Sequence, residues 1–214
     1  MSILQRRGNW KQFLKQYPIC SFLIVLNVLV FIIMMINRYT NLLTDLLNGY
    51  TLIQLGAIQT YTIDATGQFY RFLTAMFLHG NFLHILFNMF FGLIILGAAL
   101  EGLIGSTRFF IVYFLTGIAS SYGVYLLSGP YTVTVGASGA IYGILGVLLF
   151  MIVFKKTLVP YNDRKLIAQL IILNVILSFV LSGISLEGHL SGLIAGFLIA
   201  PLLMIKEPEH PSYL

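Results

Sequence analysis

The sequence predicts an all-α membrane protein: a bundle of six transmembrane helices with a long first external loop that is itself partly embedded in the membrane. Three observations carry this. Of 214 residues, 58% are hydrophobic and only 9% charged, whereas soluble domains are about a quarter charged, and the mean hydropathy is +0.93. The apolar residues gather into six runs, each near the ~20 residues that cross a ~30 Å hydrocarbon core. The basic residues fall on alternate connections between those runs, as they do in multi-pass proteins.

Residues 1–18 form a basic N-terminal segment, expected in the cytoplasm. Basic residues before an apolar run also mark secretory leaders. Here, however, the run from Ile19 to Ile36 is longer than a signal core, and no small-x-small site precedes Asn37-Arg38. It is expected to be a retained first span. The connection over roughly 37–80 is long but apolar: Asn41 to Leu47 has paired leucines at helical spacing, and Phe69 to Phe77 is mostly apolar. Such a segment is expected to lie half-sunk in the outer interface, because a solvated loop would expose its leucines and phenylalanines.

Spans two to six are expected over roughly 82–100, 109–128, 136–154, 166–183 and 188–205, all helical because lipid offers backbone groups no partners. Residues 19–205 then make one domain, and 206–214 a short tail. Six spans put both termini on one side. That side holds Arg6, Arg7, Lys11, Lys15, Arg108, Lys155, Lys156, Arg164, Lys165 and Lys206, against Arg38 and Arg71 on the other. This bias predicts cytoplasmic termini. The net charge of +5 is therefore an orientation signal rather than a sign of nucleic acid. The lone Cys20 excludes an intrachain disulfide. No Arg- and Ser-rich amphipathic leader is present, so a bacterial plasma membrane is expected rather than a mitochondrion.

Spans two, four and six all enter from outside, and their first turns carry polar groups that hydrocarbon should reject: His84 and Asn88, Ser138, and His189. At 1.5 Å per residue they share a depth. Ser138 lies in Gly136-Ala137-Ser138-Gly139, with Gly143 and Gly146 beyond, which suits either a close-packed seam or a nucleophile with room for a substrate backbone. His189 is followed by Gly192 and Gly196 on one helical face, so that face can press against span four. Tyr142, one turn below Ser138, could stack on an imidazole or simply pack. His84 and Asn88, at i and i+4, could donate to an oxyanion or hold helices together; His79 could assist or sit at the helix entrance. Asn81 reads as the cap of span two. The only acids expected outside, Asp45, Asp64 and Glu187, are poorly placed to orient His189, so a Ser–His dyad is preferred to a triad. Cys20 starts span one at the opposite face and is excluded as nucleophile.

With these residues in hand, the chain over about 70–200 resembles the rhomboid intramembrane serine proteases. The motifs are Gly136-Ala137-Ser138-Gly139 with Tyr142, His189-x-x-Gly192-Leu193-x-x-Gly196, His79-(x4)-His84-(x3)-Asn88, and Glu101-(x3)-Gly105. The resemblance implies a six-helix core, Ser138 as nucleophile and His189 as general base. It also implies an oxyanion hole from His84, Asn88 and the Ser138 N–H, and cleavage of transmembrane protein substrates without metal or cofactor. Span five and the cap before span six would form a gate and lid, with Phe87 lining the gate. Two positions depart from the pattern: the first-loop Trp-Arg pair is Tyr70-Arg71 here, and an arginine two residues after the glutamate is Leu103. A non-proteolytic binder of transmembrane helices is the alternative. A small transporter fits less well, because the polar cluster stops in the outer half. Substrate identity and oligomeric state are not legible.

Overall fold

The computed structural model describes residues 2–4, 8–40, 45–47, 51–180 and 183–203. The leucine pair at 42–43 and the tail 206–214 lie outside them. The first helix, α1 (Trp10–Gln16), falls inside the segment expected to be a plain N-terminal extension. Asn9 Oδ1 accepts from the Gln12 N–H while Gln12 Oε1 accepts from the Asn9 N–H, so two otherwise orphaned donors are satisfied reciprocally. Pro18 then opens α2 (Pro18–Thr40) at the position where a missing N–H costs nothing.

Buried Glu101 holds the start of α2. Its carboxylate accepts from the Ile19 and Cys20 N–H groups at 3.0 and 2.8 Å and from Ser106 Oγ at 2.7 Å. A carboxylate there satisfies free N–H groups and opposes the positive end of the helix dipole. The motif Glu101-(x3)-Gly105 is thus a joint. The glutamate ties α6 (Phe82–Ile104) to α2, and Gly105, at φ +82°, is the single residue between α6 and α7 (Ser106–Leu127).

Three short helices, α3 (Leu52–Gly56), α4 (Thr60–Thr66) and α5 (Arg71–Thr74), order the first connection. Arg71 is its organiser. The buried guanidinium donates from Nη1 to Gln54 O and Ala57 O, each at 2.9 Å, and from Nε and Nη2 to Gln68 Oε1. Tyr70 Oη donates to Leu55 O at 3.1 Å. Tyr70-Arg71 therefore pins the loop by carbonyl capture.

The remaining helices are α8 (Ser138–Phe154), α9 (Tyr161–Val180) and α10 (Leu186–Leu203). Among the described residues, α2, α6, α7 and α10 are long and apolar enough to cross a bilayer, and α8 is apolar over 17 residues. α9 has 20 residues but carries Asp163, Arg164 and Lys165 in its first turns, which dilutes its hydropathy. The plain α-helix expected for span two is instead α-helical only at its ends, with a π-helical stretch from Asn88 to Gly97.

The surface is apolar and the interior partly polar. Val25, Leu29, Ile32 and Ile36 on α2, Ile172, Ile176 and Phe179 on α9, and Leu198 and Leu202 on α10 are exposed, while Asn27, Glu101, Thr116, Ser120, Ser178 and His189 are buried. Water would reverse that order; lipid demands it. The chain is a membrane protein.

α8 is the central helix, buried on every face from Gly139 to Leu148. The predicted seam with α10 forms: a Cβ on Gly192 would overlap Gly139 O, one on Gly196 would overlap Gly143 O, and one on Gly146 would overlap Leu193 O. With no hydrophobic drive between helices in lipid, such close backbone approach supplies the packing.

Candidate active site

α8 begins at Ser138, two residues later than expected, because Gly136 turns the chain at φ +129° and Ala137 caps the helix. Only glycine takes that backbone conformation without strain. The loop leading to it is anchored to the first connection: Gly136 N–H donates to Ala75 O at 2.8 Å, and Thr134 pairs with Ile58. Ser138 is consequently the first residue of a helix, where backbone N–H groups have no intrahelical carbonyl to bond.

Ser138 Oγ lies 2.9 Å from His189 Nε2. Ser120 Oγ, on α7, donates to Gly188 O at 2.7 Å, and Ser185 Oγ accepts from the Gly188 N–H; both fix the turn that carries the imidazole. Tyr142 stacks on His189, with ring centroids 3.9 Å apart and planes 15° from parallel. Its hydroxyl reaches α9, 2.8 Å from Asn174 O and 2.8 Å from Ser178 Oγ.

Ser178 is the residue that sequence reasoning missed. Its Oγ lies 2.8 Å from His189 Nδ1 and donates to Asn174 O at 2.9 Å. The acids Asp45, Asp64 and Glu187 are the obvious candidates to orient His189 in the sequence, but the group at Nδ1 is an alcohol. A signal existed: Asn174-(x3)-Ser178 is a polar i, i+4 pair in an apolar run, the same pattern that drew attention to His84 and Asn88.

His84 stands over the Gly136 turn, since a Cβ there would lie 2.7 Å from His84 Nε2 and 3.6 Å from Ser138 Oγ. Asn81 Oδ1 accepts from the His84 N–H at 2.9 Å, capping α6 as expected. Asn88 is buried, and its Nδ2 has no partner among the described residues. Such a donor normally costs free energy unless something fills it. His79 is fully buried against the edge of His84, centroids 5.1 Å apart. Burial, and then the neighbouring His84, pushes His79 down to about 3, so it is neutral near pH 7.

Beside Ser138 is a cavity of ≈ 20 Å³ lined by Ser120, Ser121, Thr134, Ser185 and His189 among others, enough for about one water. This cavity lies on the α7 side of Ser138. Among the described residues no cluster of His, Cys, Asp or Glu is arranged to hold a metal.

A family model described as the Rhomboid domain matches residues 66–206. Relatives include the protein named "Putative rhomboid protease YdcA" of Bacillus subtilis (strain 168), 34% identical over 96% of this chain and 98% of that one. The rhomboid protease GluP of the same organism is 34% identical over 93% of this chain and 38% of its own length. Rhomboid-like protease 1 of Toxoplasma gondii is 36% identical over 69% of this chain and 51% of its own. The chain belongs to the rhomboid family.

Proposed function

We propose that the protein is an intramembrane serine endopeptidase that hydrolyses peptide bonds in or near transmembrane segments of other membrane proteins. The 2.9 Å contact between Ser138 Oγ and His189 Nε2 carries this reading. Ser138 Oγ attacks the substrate carbonyl carbon as its proton passes to His189 Nε2. The oxyanion meets the free Ser138 N–H, His84 and the unpartnered Asn88 Nδ2, each good donor contributing about 3–4 kcal/mol. Collapse expels the amine, which takes the proton back from His189. Water, deprotonated by the same imidazole, then cleaves the acyl-enzyme and restores Ser138.

The bilayer setting supports this use. We read α8 and α9 as the fourth and fifth of six spans, with both termini cytoplasmic by the charge bias. At 17 residues, α8 is about 25 Å long, shorter than a ~30 Å core. If Lys155 and Lys156 mark the inner interface, Ser138 sits beneath the outer one. A substrate helix must unwind to present its backbone there, which helix-breaking residues make cheaper. The multi-pass setting is a cell membrane.

Replacing Ser138 or His189 with alanine should lower cleavage of a transmembrane substrate in detergent by at least about a thousandfold. Fluorophosphonate labelling should vanish with Ser138. Cleavage retained by both variants would end the assignment.

A further inference from the structure

Resting on that reading, we propose that Ser178 of α9 is a positioning residue for His189, so that the dyad works as a Ser–His–Ser relay with an alcohol in the orienting place. For Ser138 to lose its proton to Nε2, that nitrogen must be bare and Nδ1 must carry the ring proton. The hydrogen bond from Ser178 to Asn174 O favours this. The Ser178 hydroxyl has one proton and two lone pairs. The proton goes to Asn174 O, four residues back on the same helix. With that proton committed, Ser178 Oγ faces His189 Nδ1 as an acceptor at 2.8 Å. The opposite tautomer would require Ser178 to turn its proton away from Asn174 O and onto Nδ1.

The contact also completes a mechanical restraint. Stacking on Tyr142 fixes the plane of the imidazole but not its direction within that plane. Bonds to opposite ring nitrogens, at 2.9 and 2.8 Å, fix the direction. Ser178 and His189 are both buried, so bulk water does not compete for Nδ1. A carboxylate could orient the ring more strongly, but an ionised acid inside a span is costly and needs its own partner. A neutral hydroxyl avoids that cost.

The test uses the purified full-length chain in detergent, a transmembrane-segment substrate, and Ser178→Ala, Ser178→Cys and Ser178→Thr. Cysteine nearly keeps the volume but bonds poorly, which guards against a packing defect in the alanine variant. Alanine and cysteine should lower kcat about tenfold, the loss of about one hydrogen bond, with KM unchanged. Threonine, which keeps the hydroxyl, should recover most of the rate. Nitrogen-15 NMR of labelled histidine should show His189 losing its Nδ1–H preference in the alanine and cysteine variants only. Wild-type kcat in folded alanine and cysteine variants, an unchanged tautomer, or equal losses in all three variants would each overturn the proposal. Ser138→Ala judges the protease reading separately, and the NMR signal reports the Ser178–His189 bond even if that reading fails.

Discussion

α10 and α9 both lie against the helix that carries Ser138, and they do so by opposite means. α10 meets α8 through glycines, with backbone carbonyls where side chains would be. α9 buries Ile167 and Ile171 in the core and, nearer its end, meets α8 through polar contacts, the Tyr142 hydroxyl against Ser178 and the Asn174 carbonyl, while Ile172, Ile176 and Phe179 look outward. The glycine seam sets the distance between Ser138 and His189 and tolerates no added atom. The hydroxyl contact sets the direction of the imidazole and rests on a few bonds. Distance is thus held by backbone contact and orientation by hydrogen bonds near the end of α9, whose earlier turns bury Ile167 and Ile171 in the core.

Loading the seam should give the largest effect. Gly196→Val would drive a branched side chain into Gly143 O, and the variant should lose at least about 1–3 kcal/mol of stability and most of its activity, read by thermal melting and substrate cleavage. A variant with wild-type melting would show that the seam can relax and would erase the contrast. Tyr142→Phe should act next: it keeps the stacked ring and removes both hydroxyl contacts. About 0.6 kcal/mol of stability and a few-fold of kcat should go, less than when Ser178 itself is lost. The smallest effect belongs to the outer face of α9. Ile176→Val, on the exposed face, should change stability by less than about 0.5 kcal/mol and leave kcat alone; a large loss there would mean that this face is packed rather than open to lipid.

The comparison also shows what was legible beforehand. Gly192 and Gly196 could be read as a seam because i, i+4 spacing of small residues on one helix has a single use in lipid. His84, Ser138 and His189 stood out because polar groups near the starts of spans are costly wherever they point. Ser178 escaped because the polar residues that stand out lie near the starts of apolar runs, whereas it lies near the end of a helix. The role of Arg71 escaped because, apart from the Gln68 side chain, its partners are backbone carbonyls, and any residue supplies those. Asn88 was legible as a candidate, but the π-helical stretch that starts there has no mark in the sequence that we can identify.

What the amino-acid order determined by itself was partition: which segments enter lipid, which charges stay out, and which polar side chains must find company inside. Those follow from transfer free energies that each residue carries wherever it sits. Tertiary structure alone decided which partners they find, down to an alcohol rather than an acid behind His189. Such pairings depend on ångström-scale contact between segments far apart in the chain, and no local pattern encodes that.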